Sequence, residues 1–146
     1  MTRPRTWAAG ELFALGLGLA LGLALAQGDG RSSARQEFLS KLVAAAIERT
    51  NHVVRYDPGY VGIAYPGGDV PAESGVCTDE IIRVYRVLGV DLQKEVHEDM
   101  AANFALYPAA TIWKQKRPDK NIDHRRVPNL MVFFSRKGEV LPITDN

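Results

Sequence analysis

The chain has 146 residues, of which 46% are hydrophobic and 24% charged, with a formal net charge of +1. That composition suits one globular domain with a real core, and it excludes a disordered or fibrous chain. A near-neutral balance supplies no electrostatic reason for binding nucleic acid or an anionic membrane, so neither is expected as a partner.

The N-terminus reads as an address. Arg3 and Arg5 form a short basic region, and Leu12 to Ala26 is an unbroken run of apolar and Gly residues. The run closes on Ala24-Leu25-Ala26, a small-residue cleavage site before Gln27. The expectation is a signal peptide over 1–26 and an exported, periplasmic protein. The run is shorter than the roughly 20 residues of a membrane span. No stable span is therefore expected after cleavage, with an uncleaved anchor as the competing reading. The segment holds no cysteine, so the protein is not expected to be a lipoprotein. Cleavage removes Arg3, Arg5 and Glu11 and leaves no net charge. Residues 27–34 are polar and rich in Gly and Ser, and read as a mobile start. One domain is expected over 35–146.

Ser33 to Thr50 reads as the first helix, with Ser33 as N-cap. Phe38, Leu42 and Ala46, with Leu39, Val43 and Ile47, form one apolar stripe expected to pack on the domain body. Val53, Val54 and Tyr56 are strand formers, followed by the turn Asp57-Pro58-Gly59 and an extended run from Tyr60 to Tyr65. Pro66 to Pro71 is a shaped loop. Thr78 to Leu88 reads as a second helix stopped by Gly89, with an apolar face of Ile81, Ile82, Tyr85 and Leu88. Asp91 caps a third, whose stripe is Leu92, Val96, Met100 and Phe104. Residues 109–127 look irregular. Pro128 opens a fourth helix over 129–137, closed by Gly138, and 139–143 reads as the start of a strand.

The chemistry centres on Cys77, the single cysteine, in Gly75-Val76-Cys77-Thr78-Asp79. It sits where a Gly/Pro-rich loop gives way to a helical pattern. Backbone N–H groups and the helix dipole favour a thiolate at such a position. The alternative is a small buried apolar residue. The helix-start position, the Gly-rich approach and the missing disulfide partner favour the nucleophile. Asp79 and Glu80 in the same turn oppose a thiolate unless they pair elsewhere. A thiol hydrolase also needs a base. His52, His97 and His124 are the candidates, and each also reads as an ordinary loop or half-buried histidine. Their spacing with Cys77 matches no zinc pattern, so neither metal nor cofactor is expected. Lys114, Lys116, Arg117, Lys120, Arg125 and Arg126 form a basic cluster, read as a solvated face or as a dock for a carboxylate. Tyr56, Tyr60, Tyr65 and Trp113 are read as core or as groove walls.

Several long motifs carry a family resemblance. They are Tyr56-Asp57-Pro58, Tyr65 to Pro71, Gly75 to Asp79, Asp91-Leu92-Gln93, His97 to Met100, and Asn121 to Leu130. Together, over about 35–146, they resemble the bacterial domain-of-unknown-function family 1287, which is similar to the NlpC-type, papain-like cysteine hydrolases. The resemblance implies an α+β fold: a cysteine at the start of a packed helix, facing an antiparallel sheet that supplies the histidine. It implies Cys77 as nucleophile, and Asp79, His97, Asp99, His124, Arg125 and Arg126 as polar support or substrate contacts. It implies a cell-wall peptide or another amide as substrate. In such proteins the chain continues past the equivalent of Leu141-Pro142 into strands, one bearing the presumed base. The present sequence ends at Asn146, so it is expected to be a fragment, to have lost the base, or to use His97 or His124 instead. Without those strands, apolar surface on the second and fourth helices is expected to be uncovered and activity poor. A non-catalytic periplasmic binding or scaffold domain on the same fold is the alternative.

Overall fold

A computed structural model describes residues 14–138, with side chains from Gly30 onward. The chain divides into two compact units, 1–40 and 41–146. The element order is α1 (Ala14–Arg49), β1 (Arg55–Tyr56), β2 (Ser74–Gly75), α2 (Cys77–Val87), α3 (Leu92–Asn103), α4 (Ala109–Ile112) and α5 (Val127–Lys137). Short 3-10 turns cover Phe104–Leu106 and Asp123–Arg125. The fold is α+β and mostly helical.

Helix α1 departs from expectation in three ways. Residues 27–34, expected to be mobile, are helical, because adding a residue to an existing helix costs far less than nucleating one. Ser33 is therefore interior and caps nothing. In the second unit the expected stripe is largely in solvent: Val43 is 57% and Ile47 63% exposed, while Ala45 on the neighbouring face is buried. Arg49 fixes that rotation, because its Nε donates to Glu80 Oε2 at 2.7 Å. The basic residues Arg3 and Arg5 of the expected address lie outside the described residues. No helix among the described residues is long and apolar enough to cross a membrane.

The core of the second unit lies between α2, α3 and α5. Ile82, Leu92, Val96, Met100, Tyr107, Ala109, Leu130 and Phe133 are buried together. Each large apolar side chain removed from water contributes about 1.5–3 kcal/mol. The α3 stripe behaves as expected. Asp91 caps it by accepting from the Gln93 N–H at 3.1 Å. Just past the end of helix α2, Gly89 takes the left-handed region at φ +80°. Its inner face is less apolar than expected, because Thr78, Asp79 and Arg83 are buried while Ile81 is 41% exposed.

Strands β1 and β2 pair in parallel, Arg55 with Ser74 and Tyr56 with Gly75. The antiparallel sheet implied by the resemblance has no counterpart among the described residues, and the expected strand at 139–143 lies outside them. Parallel pairing requires a long crossover, and the connection 57–73 supplies it. The expected extended run 60–65 joins no sheet. Side chains take up its backbone groups instead, with Asn121 Oδ1 accepting the Ile63 N–H at 3.2 Å and Gln93 donating to the Ala64 carbonyl at 2.8 Å. Buried backbone groups need partners from somewhere, and here polar side chains replace a ladder. The segment expected to be irregular contains the single helical turn of α4.

Candidate functional site around Cys77

The loop before Cys77 is held by one arginine. Arg83 is buried, and its guanidinium donates to Asp69, Glu80 and the carbonyls of Val70, Pro71, Ala72 and Ser74. A planar five-donor fork suits such a convergence of acceptors. Ser74 and Gly75 then pair as β2, and Gly75 takes φ +155° against the Asp79 side chain. A Cβ at Gly75 would stand 2.8 Å from Asp79 Oδ2.

Helix α2 starts at Cys77, after the extended N-cap residue Val76. The Asp79 carboxylate turns back to accept the Val76 N–H at 2.7 Å. Arg125 completes the junction. Its Nε and Nη2 donate to the two Asp79 oxygens at 2.8 and 3.1 Å, and its Nη1 donates to the Gly59 carbonyl at 2.9 Å. Both side chains of this ion pair are 2% exposed. Thr78 adds a hydrogen bond from its hydroxyl to the Arg125 carbonyl at 2.7 Å. Arg125 and Asp79 are thus one buried clamp joining the start of α2 to the 123–125 turn.

That clamp bears on the thiol. Asp79 is neutralised by Arg125. Glu80 is paired with Arg49 and Arg83, at 2.7 Å each. Burial alone would raise the Glu80 carboxyl, but hydrogen bonds from the two arginines hold it below its usual range. Neither acid is left as a bare negative charge beside Cys77. Cys77 is exposed. The N–H groups of Cys77 and Thr78 have no acceptor among the described residues. Such free donors are what a helix start offers to an anion.

Cys77 lines a groove of about 490 Å³ whose walls include Tyr56, Tyr60, Trp113, Ile122 and Arg126. The Arg126 guanidinium lies over the Trp113 ring, 4.0 Å from its centroid, and donates to Gln115 Oε1 at 2.6 Å. Tyr56 and Tyr60 are 72% and 60% exposed. Three of the aromatics open between core and groove in the sequence therefore face the groove, whereas Tyr65 stacks edge-on with His97 at 5.1 Å.

The remaining candidates lie elsewhere. His97 is half-buried, lines a separate polar cavity, and has a buried Nδ1 without a partner. His124 is buried, and desolvation pushes its pKa down to about 4. Its Nδ1 also lacks a partner. His52 is an exposed partner of Glu48 at 2.9 Å. Among the described residues no histidine lines the Cys77 groove. Asp99 is a tertiary tie. It accepts the Tyr107 hydroxyl and Arg136 Nε at 2.7 and 2.8 Å, and Lys137 lies at 3.1 Å. Arg136 above all holds its carboxyl well below the usual range. The basic cluster is divided as well, because Arg125 is internal and Arg126 stacks on Trp113.

Two positioning residues carry a weaker sequence signal. Gln93 is fully buried, accepting the Gly68 N–H at 2.9 Å and donating to the Ala64 and Lys120 carbonyls. Arg83 occupies the inner face of a helix, and that misplaced charge is the one sign that it has buried partners.

Residues 43–146 match the family described as "Domain of unknown function (DUF1287)". The chain belongs to this family. The DUF1287 segment is also similar to "Uncharacterized protein YijF" of Escherichia coli (strain K12), with 63% identity over 105 residues. That similarity covers 72% of this chain and 50% of the relative, so the chain spans about half the length of the curated relative it matches. No solved structure matches the DUF1287 chain.

Proposed function

We propose that this DUF1287 chain carries the nucleophile of an exported, periplasmic cysteine hydrolase of the papain-like, NlpC type, acting on amide bonds of cell-wall peptides. One observation carries the reading: Cys77 is an exposed thiol in an aromatic-walled groove, at a helix start with two free N–H groups. In this reaction Sγ attacks the amide carbonyl carbon and a thioester forms. The thiol proton leaves with the amine, and water then releases the acid and restores the thiol. The N–H groups of Cys77 and Thr78 face the developing oxyanion. The base comes from outside the described groove.

The lack of a histidine among the described groove residues favours a second reading, a non-catalytic binding domain. The rate of alkylation of Cys77 by iodoacetamide at about pH 7, set against free cysteine, separates the two. The hydrolase reading expects Cys77 to react several-fold faster, and expects loss of amidase activity in Cys77→Ala. A rate at or below that of free cysteine, or activity that survives Cys77→Ala, sinks it.

A further inference from the structure

Beside the Cys77 groove is a second cavity, of about 560 Å³, lined by Lys116, Arg117, Lys120, Asp119, His97 and Tyr60, among others. Three cations there face one carboxylate. Among the described residues of the second unit, every other arginine lies within 4.0 Å of a carboxylate: Arg49, Arg55, Arg83, Arg86, Arg125, Arg126 and Arg136. Arg117 has no such partner, and neither do Lys116 and Lys120. The acid on this wall is Asp119, and its Oδ1 and Oδ2 already accept the Asn121 N–H at 2.9 Å and the Tyr60 hydroxyl at 3.2 Å.

The basic loop is held in place. Gln93 binds the Lys120 carbonyl at 3.1 Å, and Asn121 Oδ1 accepts the Ile63 N–H. Asn121 Nδ2 donates to the Tyr60 hydroxyl at 2.7 Å, and the Lys120 ammonium lies 5.7 Å from the Tyr65 ring centroid. A fixed backbone bearing three cations without a carboxylate partner around a concavity is preorganised for an anion. Tyr60 lines both this cavity and the Cys77 groove, so the two adjoin.

We propose that the Lys116–Arg117–Lys120 cavity seats a carboxylate of the substrate, and that the peptide passes Tyr60 to present its amide to Cys77. The second clause rests on the hydrolase reading; the first does not.

The test is an NMR titration of the 15N-labelled chain with N-acetyl-alanyl-alanine and with its C-terminal amide. The expected result is shifts at residues 116–121 and Tyr60 with the acid, and binding about tenfold weaker with the amide, the loss of one charge-assisted contact. The triple variant Lys116→Gln, Arg117→Gln, Lys120→Gln is expected to erase that preference. Arg117→Gln alone, on an exposed side chain, is expected to reduce it several-fold, and serves if the triple variant does not fold. Equal affinity for acid and amide, or a preference that survives the triple variant, overturns the proposal. So does inorganic phosphate binding this cavity more tightly than the acid. In Cys77→Ala the preference is expected to persist, so failure of the hydrolase reading remains distinguishable from failure of the carboxylate seat.

Discussion

Replacing Arg125 by alanine tests the clamp that holds the start of α2. The guanidinium makes two bonds to Asp79, at 2.8 and 3.1 Å, and one to the Gly59 carbonyl, at 2.9 Å, in a site 2% exposed. Truncation leaves the Asp79 carboxylate buried with the Val76 N–H as its remaining hydrogen-bond donor. Breaking a buried pair from one side costs about 3–5 kcal/mol, most of it from the stranded charge. Against a total stability of about 5–15 kcal/mol, that is a large share. Arg125→Lys keeps the charge but loses the fork, and falls between the two. The assay is urea unfolding of wild type, Arg125→Ala, Asp79→Ala and the double variant. Because the partners form one unit, the double variant is expected to lose less than the sum of the singles. A loss under about 1 kcal/mol for Arg125→Ala, or strict additivity in the cycle, refutes the clamp.

Acid should destabilise the fold in a window set by His124. Its folded pKa of about 4 lies below the unfolded value of about 6.5, so the unfolded chain binds the extra proton between them. Stability is therefore full above about 6.5 and falls toward pH 4, by up to about 3 kcal/mol, the size set by the pKa gap. Unfolding midpoints that stay flat from pH 7 to 4.5 contradict this. Gly68→Ala places a Cβ 2.1 Å from the Ala64 carbonyl oxygen, and is expected to cost about 2 kcal/mol or more in thermal unfolding. Tyr107→Phe removes a hydroxyl 2.7 Å from Asp99 and is expected to cost about 2 kcal/mol by the same measurement, with Arg136 and Lys137 still holding the carboxylate.

Local patterns determined helices α2, α3 and α5 from the sequence. Leu92, Val96 and Met100 recur at one helical face and are buried there, Asp91 caps, and Gly89 and Gly138 close, because each effect acts within a turn or two of chain. The family was legible too, since its motifs are long and ordered, and residues 43–146 match it. Only the tertiary structure decided which polar residues meet. Arg125 and Asp79 are 46 positions apart and Gln93 and Ala64 are 29 apart, distances over which no periodicity speaks. The same holds for the α1 stripe: periodicity predicted its existence, but the Arg49–Glu80 pair chose the face that turns inward. In the sequence His97 and His124 are both candidate bases. Folding put one beside the basic cavity and buried the other, because an imidazole's role is set by the surfaces packed around it.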